Sequence, residues 1–232
     1  MSQIQDQILS YREMCNAEDS SLQRGMNFRL NPLYSVILMS QRSNAPYQDK
    51  IWEDGITIEY EGHDVTQTSY DHDPKNDDQL EFLPSGKPTQ NGKFIEAVKR
   101  FKSGETQPEP VKVYEKIVDG TWSLKGYFDL IDYKVVFDGK RNVFRFILKL
   151  SAREENNIKN GPIDLKHTRL IPSSIKREVW KRDQGKCVLC GATKNLHYDH
   201  ELPYSEGGTS LLASNIRILC ATHNLQKSNK IE

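Results

Sequence analysis

Two short knuckles constrain this chain more than any other feature: Cys187-Val-Leu-Cys190 and Cys220-Ala-Thr-His223. Each C-x-x-[C/H] spacing lets two soft ligands turn toward one ion. Together they supply four, which suits a closed tetrahedral Zn2+ site of the structural kind. Three of the four cysteines are used this way. A disulfide scaffold is therefore not expected, and metal-type thiols point to a reducing compartment, the cytoplasm.

The remainder of the 232 residues divides by hydrophobic period. Residues 1–24 carry Ile4, Ile8, Leu9 and Met14 at spacing that predicts an amphipathic helix, packed on the next domain or pairing two copies of the chain. From Leu33 the period shortens. Tyr34–Met39, Ile56–Tyr60, Val111–Tyr114, Trp122–Tyr133 and Val143–Leu148 are rich in β-branched and aromatic residues. Asp54-Gly55, Glu61-Gly62, Asp119-Gly120 and Asp138-Gly139 read as turns between them. The pattern predicts a curved antiparallel sheet or barrel, interrupted by one helix at about Asn91 to Phe101 with Phe94, Ile95, Val98 and Phe101 on one face. Residues 151–172, broken by Gly161-Pro162, read as a linker. Ser173-Ser174 are then expected to cap a helix from Ile175 to Asp183, with Ile175, Val179 and Trp180 inward. The expected organisation is an α+β chain: an N-terminal helical segment (1–30), a β-rich domain (31–150), a linker (151–172) and a zinc module (173–232).

Charge narrows the function classes. Lys+Arg and Asp+Glu are 32 each, so any nucleic-acid contact must come from local patches. Residues 173–232 carry nine basic and six acidic residues, about +3, which leaves −3 on the rest. The helix before the knuckles is rich in Lys and Arg, either a phosphate-contacting face or a solvated one. The acidic stretch Asp71 to Glu81 reads as a solvated loop. Mean hydropathy is −0.70, and no apolar run approaches the ~18–20 residues of a membrane span. The start of the chain has neither the basic nor the apolar region of a secretory signal.

Between the knuckles lie His197-Tyr-Asp199-His200, Glu206-Gly-Gly208 and Asn215; Asn224 and Lys227 follow the second knuckle. Over residues 175–230 this set resembles the HNH nuclease family, with its ββα-metal fold. The resemblance implies His200 as general base, because a neutral imidazole can take a proton from water near neutral pH. Asp199 and Asn224 are then ligands of a hard catalytic cation, Mg2+ or Mn2+. Asn215 holds the loop and orients the base, and Lys227 contacts phosphate. Many members have His where Asn224 stands. We assign His223 to zinc with Cys187, Cys190 and Cys220; the opposite assignment would leave zinc three cysteines. His197 reads as structural or as a phosphate contact.

A second set runs through the β-rich part: Ser35-Val-Ile-Leu-Met39, the loop Ala45-Pro-Tyr-Gln-Asp49, Ile58-Glu-Tyr-Glu-Gly62, Thr89-Gln-Asn-Gly, Val111-Lys-Val-Tyr, Gly126-Tyr-Phe-Asp-Leu and Val143-Phe-Arg-Phe-Ile-Leu. In this order they resemble the SRA domain, a PUA-like barrel that flips modified cytosine out of DNA. A flipped base is stacked between flat side chains and read on its Watson–Crick edge. The resemblance implies Tyr60 and Tyr47 as stacking planes and Asp49 as acceptor for the cytosine amino group; Tyr60 also reads as a core tyrosine. His63-Asp64 line the pocket or contact the backbone, and Arg42 and Lys50 meet phosphate or fill the gap left by the base. Together the two resemblances imply a modification-dependent restriction endonuclease of antiphage defence. Its substrate is double-stranded DNA carrying 5-methylcytosine or 5-hydroxymethylcytosine, and a homodimer is expected because one HNH site cuts one strand. Other readings stay open: an HNH nuclease reading unmodified sequence, a nonspecific nickase, and a modified-DNA-binding protein with an inactive HNH scaffold.

Overall fold

The computed structural model describes residues 6–65, 72–151, 170–203 and 206–228. Most of the expected linker, 151–172, lies outside the described residues, as do Ile4 and Asp71.

The N-terminal segment departs from expectation. Residues Gln7–Ser10 form a strand, β1, and only Tyr11–Ala17 are helical, α1. Ser10 sets the boundary: its hydroxyl accepts from Glu13 N–H while the Glu13 carboxylate accepts from Ser10 N–H, a reciprocal cap that starts the helix after Ile8 and Leu9. Along the chain follow β2 (Met26–Asn31), β3 (Tyr34–Met39), β4 (Lys50–Ile51), β5 (Thr57–Glu61), α2 (Gln90–Lys102), β6 (Glu109–Val118), β7 (Thr121–Phe137), β8 (Asn142–Leu150), α3 (Ser173–Arg182), β9 (Leu196–His200), β10 (Ile216–Cys220) and α4 (Ala221–Ser228).

Among the described residues the fold is mixed α+β, built on one large open sheet of ten strands. Its main path runs β10-β9-β1-β7-β6-β3-β2, all antiparallel except β3 with β6. Strand β7 is long enough to serve two sets of partners: its start pairs with β1, and its far half pairs with β8, which continues to β5 and β4. The predicted turns at Asp54-Gly55, Asp119-Gly120 and Asp138-Gly139 carry glycines of positive φ. Glu61-Gly62 is instead the end of β5, where a Gly62 Cβ would meet Gln79 Oε1 at 2.6 Å.

Three buried clusters hold the sheet. The largest packs α2 through Phe94, Ile95 and Val98 on Val111, Phe128, Phe146 and Leu148. A second gathers Val179, Leu196, Tyr198, Ile216 and Ile218 around the knuckles. A third joins Met14 and Leu22 to Tyr34, Tyr114 and Leu124. Successive strand side chains point to opposite faces. In β1, Ile8 therefore enters the knuckle cluster while its neighbour Leu9 enters the third.

Helix α3 corrects two expectations. Pro172 stands at its N-cap, and Ser173 is the first helical residue. The Ser173 hydroxyl instead donates to Gln41 Oε1 at 2.5 Å and also contacts the Glu115 carboxylate. On the helix's basic face, Lys176 is fully buried: its Nζ lies 2.5 Å from Asp6 Oδ1 and 2.8 Å from Ser123 Oγ. A second buried lysine, Lys125, pairs with Glu115 at 2.7 Å. Removing one partner of such a pair leaves an uncompensated buried charge and costs about 3–5 kcal/mol. The acidic stretch is also more than a solvated loop, since Gln79 is buried and bonds Gly62 O and Phe144 N–H.

Candidate functional site

The knuckles converge. The ligand atoms of Cys187, Cys190, Cys220 and His223 all lie within 4.8 Å of one another. Gly191, at φ +74°, turns the first knuckle, and its N–H donates to Cys187 O at 2.8 Å. The second knuckle spans the junction of β10 and α4. Cys190 and Cys220 sulfurs are 3.8 Å apart, and His223 Nδ1 is 3.5 Å from Cys187 Sγ and 3.3 Å from Cys220 Sγ. Two sulfurs bound tetrahedrally at ~2.3 Å to one zinc stand about 3.8 Å apart, so the donor set fits a metal ion. Burial works to raise the Cys187 thiol, but donation from the Cys220, Leu189 and Cys190 backbone and from His223 outweighs it and brings the pKa down to about 6.

The β9–β10 hairpin carries the other expected residues. His200 pairs with Ile216 and Asp199 with Arg217 across it. Asn215 closes the intervening loop: its Oδ1 accepts from Leu202 N–H at 2.9 Å, and its Nδ2 donates to Leu202 O and Thr209 O, both at 3.0 Å. Gly208 is required where the loop doubles back, since a Cβ there would lie 1.9 Å from Leu202 O. His200 Nε2 is 2.9 Å from the hydroxyl of Ser210. Burial lowers the His200 pKa, against the pull of Asp6 and Asp199. Asp199 already holds two cations: Lys227 Nζ at 2.8 Å and Arg217 Nε at 3.4 Å. Lys227 thus faces the hairpin rather than solvent, and its Nζ also contacts His200 O. Asn224 is half-buried on α4, beside His223. His197 is buried among the strands. Ser210 was not picked out in the sequence, where nothing distinguishes it from its polar neighbours.

Away from the knuckles, a cavity of about 750 Å³ opens beside β3 and the N-terminal end of α2. Tyr47, Asp49, His63 and Asp64 line it, with Arg24, Arg42, Lys93 and Lys116 adding positive charge. Such a volume is ordinary for a ligand site. Asp49 is buried, and its carboxylate accepts from Ser40 N–H at 2.9 Å and Glu61 N–H at 3.1 Å. Burial outweighs those bonds and pushes its pKa up to about 7. Tyr47 is stacked on His63, centroids 4.1 Å apart and 15° from parallel, and Lys75 Nζ lies 4.2 Å from the Tyr47 centroid. Burial raises the Tyr47 phenol to about 12.

Tyr60 combines both readings of it. Its ring is fully buried in the main core yet stacked on the cavity-lining His63, centroids 5.6 Å apart and 25° from parallel, and its hydroxyl lies 3.0 Å from Gly25 O and 2.7 Å from His63 Nε2. Arg42 stands at the rim, paired with Asp119 at 2.8 Å. Lys50 is exposed on β4.

No protein-family model and no curated protein matches the chain. Among solved structures it is similar to the SUVH5 SRA domain in complex with hemimethylated CG DNA (18% identity, TM-score 0.41, 63% of this chain and 86% of that one). The same SRA domain bound to fully hydroxymethylated CG DNA gives 17% identity and TM-score 0.43, over 63% and 87%. The modification-dependent TagI restriction endonuclease gives 15% identity and TM-score 0.41, over 99% of this chain and 79% of that one. At such identities and scores the likeness assigns neither family nor function. No helix among the described residues is long and apolar enough to cross a membrane.

Proposed function

We propose that the chain is a modification-dependent DNA endonuclease that reads 5-methylcytosine or 5-hydroxymethylcytosine in the cavity beside Tyr47 and Asp49 and cuts the duplex nearby with an HNH-type hairpin. The observation that carries the reading is the hairpin. His200 stands beside Asp199 on a strand whose loop is stapled by Asn215, above a Cys187, Cys190, Cys220 and His223 donor set suited to structural zinc. With Ser210 Oγ accepting from Nε2–H, Nδ1 of His200 is left to take the proton of the attacking water. A hard divalent cation, Mg2+ or Mn2+, supplies charge stabilisation at the phosphate, and Asp199 and Asn224 are the residues that would hold it. Lys227 and Arg217, now on Asp199, are the cations that would give way or turn to phosphate. Domains at 31–150 and 173–232, and a homodimer for double-strand breaks, belong to the same proposal.

A second reading rests on Asp199. Its carboxylate is already neutralised by two side chains, as suits a modified-DNA-binding protein whose hairpin is only a scaffold. Matched plasmids, unmodified, methylated and hydroxymethylated, incubated with Mg2+ or Mn2+, separate the readings. Cutting of modified DNA alone, lost by about 10²-fold or more in His200→Ala with binding retained, supports the nuclease. Binding without cutting supports the scaffold, and equal cutting of all three removes the base-reading role.

A further inference from the structure

His63 lies where the proposed reading needs an open surface. Its imidazole is stacked on Tyr47, and its Nε2 is satisfied by the Tyr60 hydroxyl at 2.7 Å. The same edge abuts bare backbone: a Cβ on Gly25 would sit 2.1 Å from His63 Cε1 and 2.8 Å from Nε2. The backbone of His63 is pinned on both sides by Asn91, which accepts from its N–H at 2.9 Å and donates to its C=O at 2.8 Å. The side chain can therefore leave only by rotating about its own bonds, into the cavity it already lines.

These contacts are those a flipped base makes: a flat heteroaromatic ring on an aromatic face, with its edge read by a hydrogen-bonding group. Burial keeps the ring neutral, its pKa lowered to about 4, so it is uncharged, as a cytosine is. Resting on the base-reading role proposed above, we propose that His63 is a built-in surrogate for the flipped base. In the free protein it holds the Tyr47 face and the Tyr60 hydroxyl, and an entering base must displace it. Tyr60 then serves the pocket through its hydroxyl and through the ring face stacked on His63 at 5.6 Å between centroids.

The sign of one substitution tests this. Displacing a stacked ring forfeits contacts of the size of base–aromatic stacking, so removing the ring in advance should tighten binding of a modified duplex by about 5- to 150-fold. Binding of methylated and unmodified duplexes to the full chain would be measured without added divalent metal, for wild type, His63→Ala and His63→Phe. The alanine variant is expected to gain affinity for the methylated duplex. The phenylalanine variant keeps a ring on Tyr47 and is expected to gain none. Millimolar imidazole, filling the vacated slot, should reverse the gain in His63→Ala and leave wild type unaffected. His63→Ser repeats the test should the alanine variant melt early. If wild type discriminates while both small variants bind equally or more weakly, His63 is a reader of the base and not its surrogate. If wild type itself does not discriminate, the base-reading role falls and this proposal with it.

Discussion

Asp49 illustrates how a single residue's surroundings set its chemistry. Two backbone N–H donors and Arg145 favour its ionised form, while burial and the Glu61 carboxylate oppose it, and the opposition wins. A carboxyl whose pKa stands near 7 folded and ~3.9 unfolded costs the fold stability as pH rises between those values, a cost absent below ~4 and complete above about 7. If the ionised form accepts from the cytosine amino group, binding must first remove the proton. Affinity for modified duplex should then rise about tenfold per pH unit up to about 7 and level off above it. A flat profile from pH 5 to 8 would exclude ionised Asp49 as the acceptor. The sequence offered Asp49 and Tyr47 through a loop resemblance alone, and both do line the cavity. It left Tyr60 open between core and stacking plane, because a tyrosine on a strand presents the same pattern in either place; its ring is buried in the core and also stacked on His63.

At the level of elements, the β9–β10 hairpin was legible because its constraints are local: ligand spacing, a Gly-Gly turn and an Asn within reach of its own loop. Asn215→Ala removes three hydrogen bonds to the loop. It should cost about 1–3 kcal/mol in chemical denaturation and slow cleavage without altering DNA affinity. Cys187→Ser takes one donor from the four that could hold a metal and should lower the zinc the protein binds, read by a chelator dye, with loss of near-ultraviolet signal from the knuckle cluster around Tyr198. Retained stoichiometric zinc would refute the clamp. The elements that escaped sequence analysis are β1, β2 and β4. The partners of β1 come from distant chain, and β1 lacks the turn signals and alternation that mark a strand in isolation; β2 and β4 pair locally with β3 and β5, and β4 is only two residues long. Lys176 misled for a related reason. A lysine on a basic helix reads as solvated until Asp6 and Ser123 are brought to it from elsewhere in the chain.

For the whole molecule, β1 is the decisive element. It pairs with β7 through Ile8–Ser123 and Leu9–Trp122, and with β9 through Gln7–His197 and Ile8–Leu196, so the sheet runs unbroken from the cavity-bearing half to the hairpin. Ile8→Pro breaks the ladder of a central strand and displaces a side chain from the knuckle cluster. Calorimetry should show one transition for wild type and two for the variant, with the knuckle half melting first; a single transition in both would mean that β1 does not couple the halves. The same strand has a consequence in time. The residues of β1, Gln7–Ser10, are synthesised well before those of one of their partners, β9, at Leu196–His200. Until then one edge of β1 lies unpaired, and closing it brings together very distant parts of the sequence, which slows folding and leaves a sticky edge open to other chains. Slower translation at reduced temperature should therefore raise the soluble yield, and the hairpin cannot complete its sheet before β1 is in place.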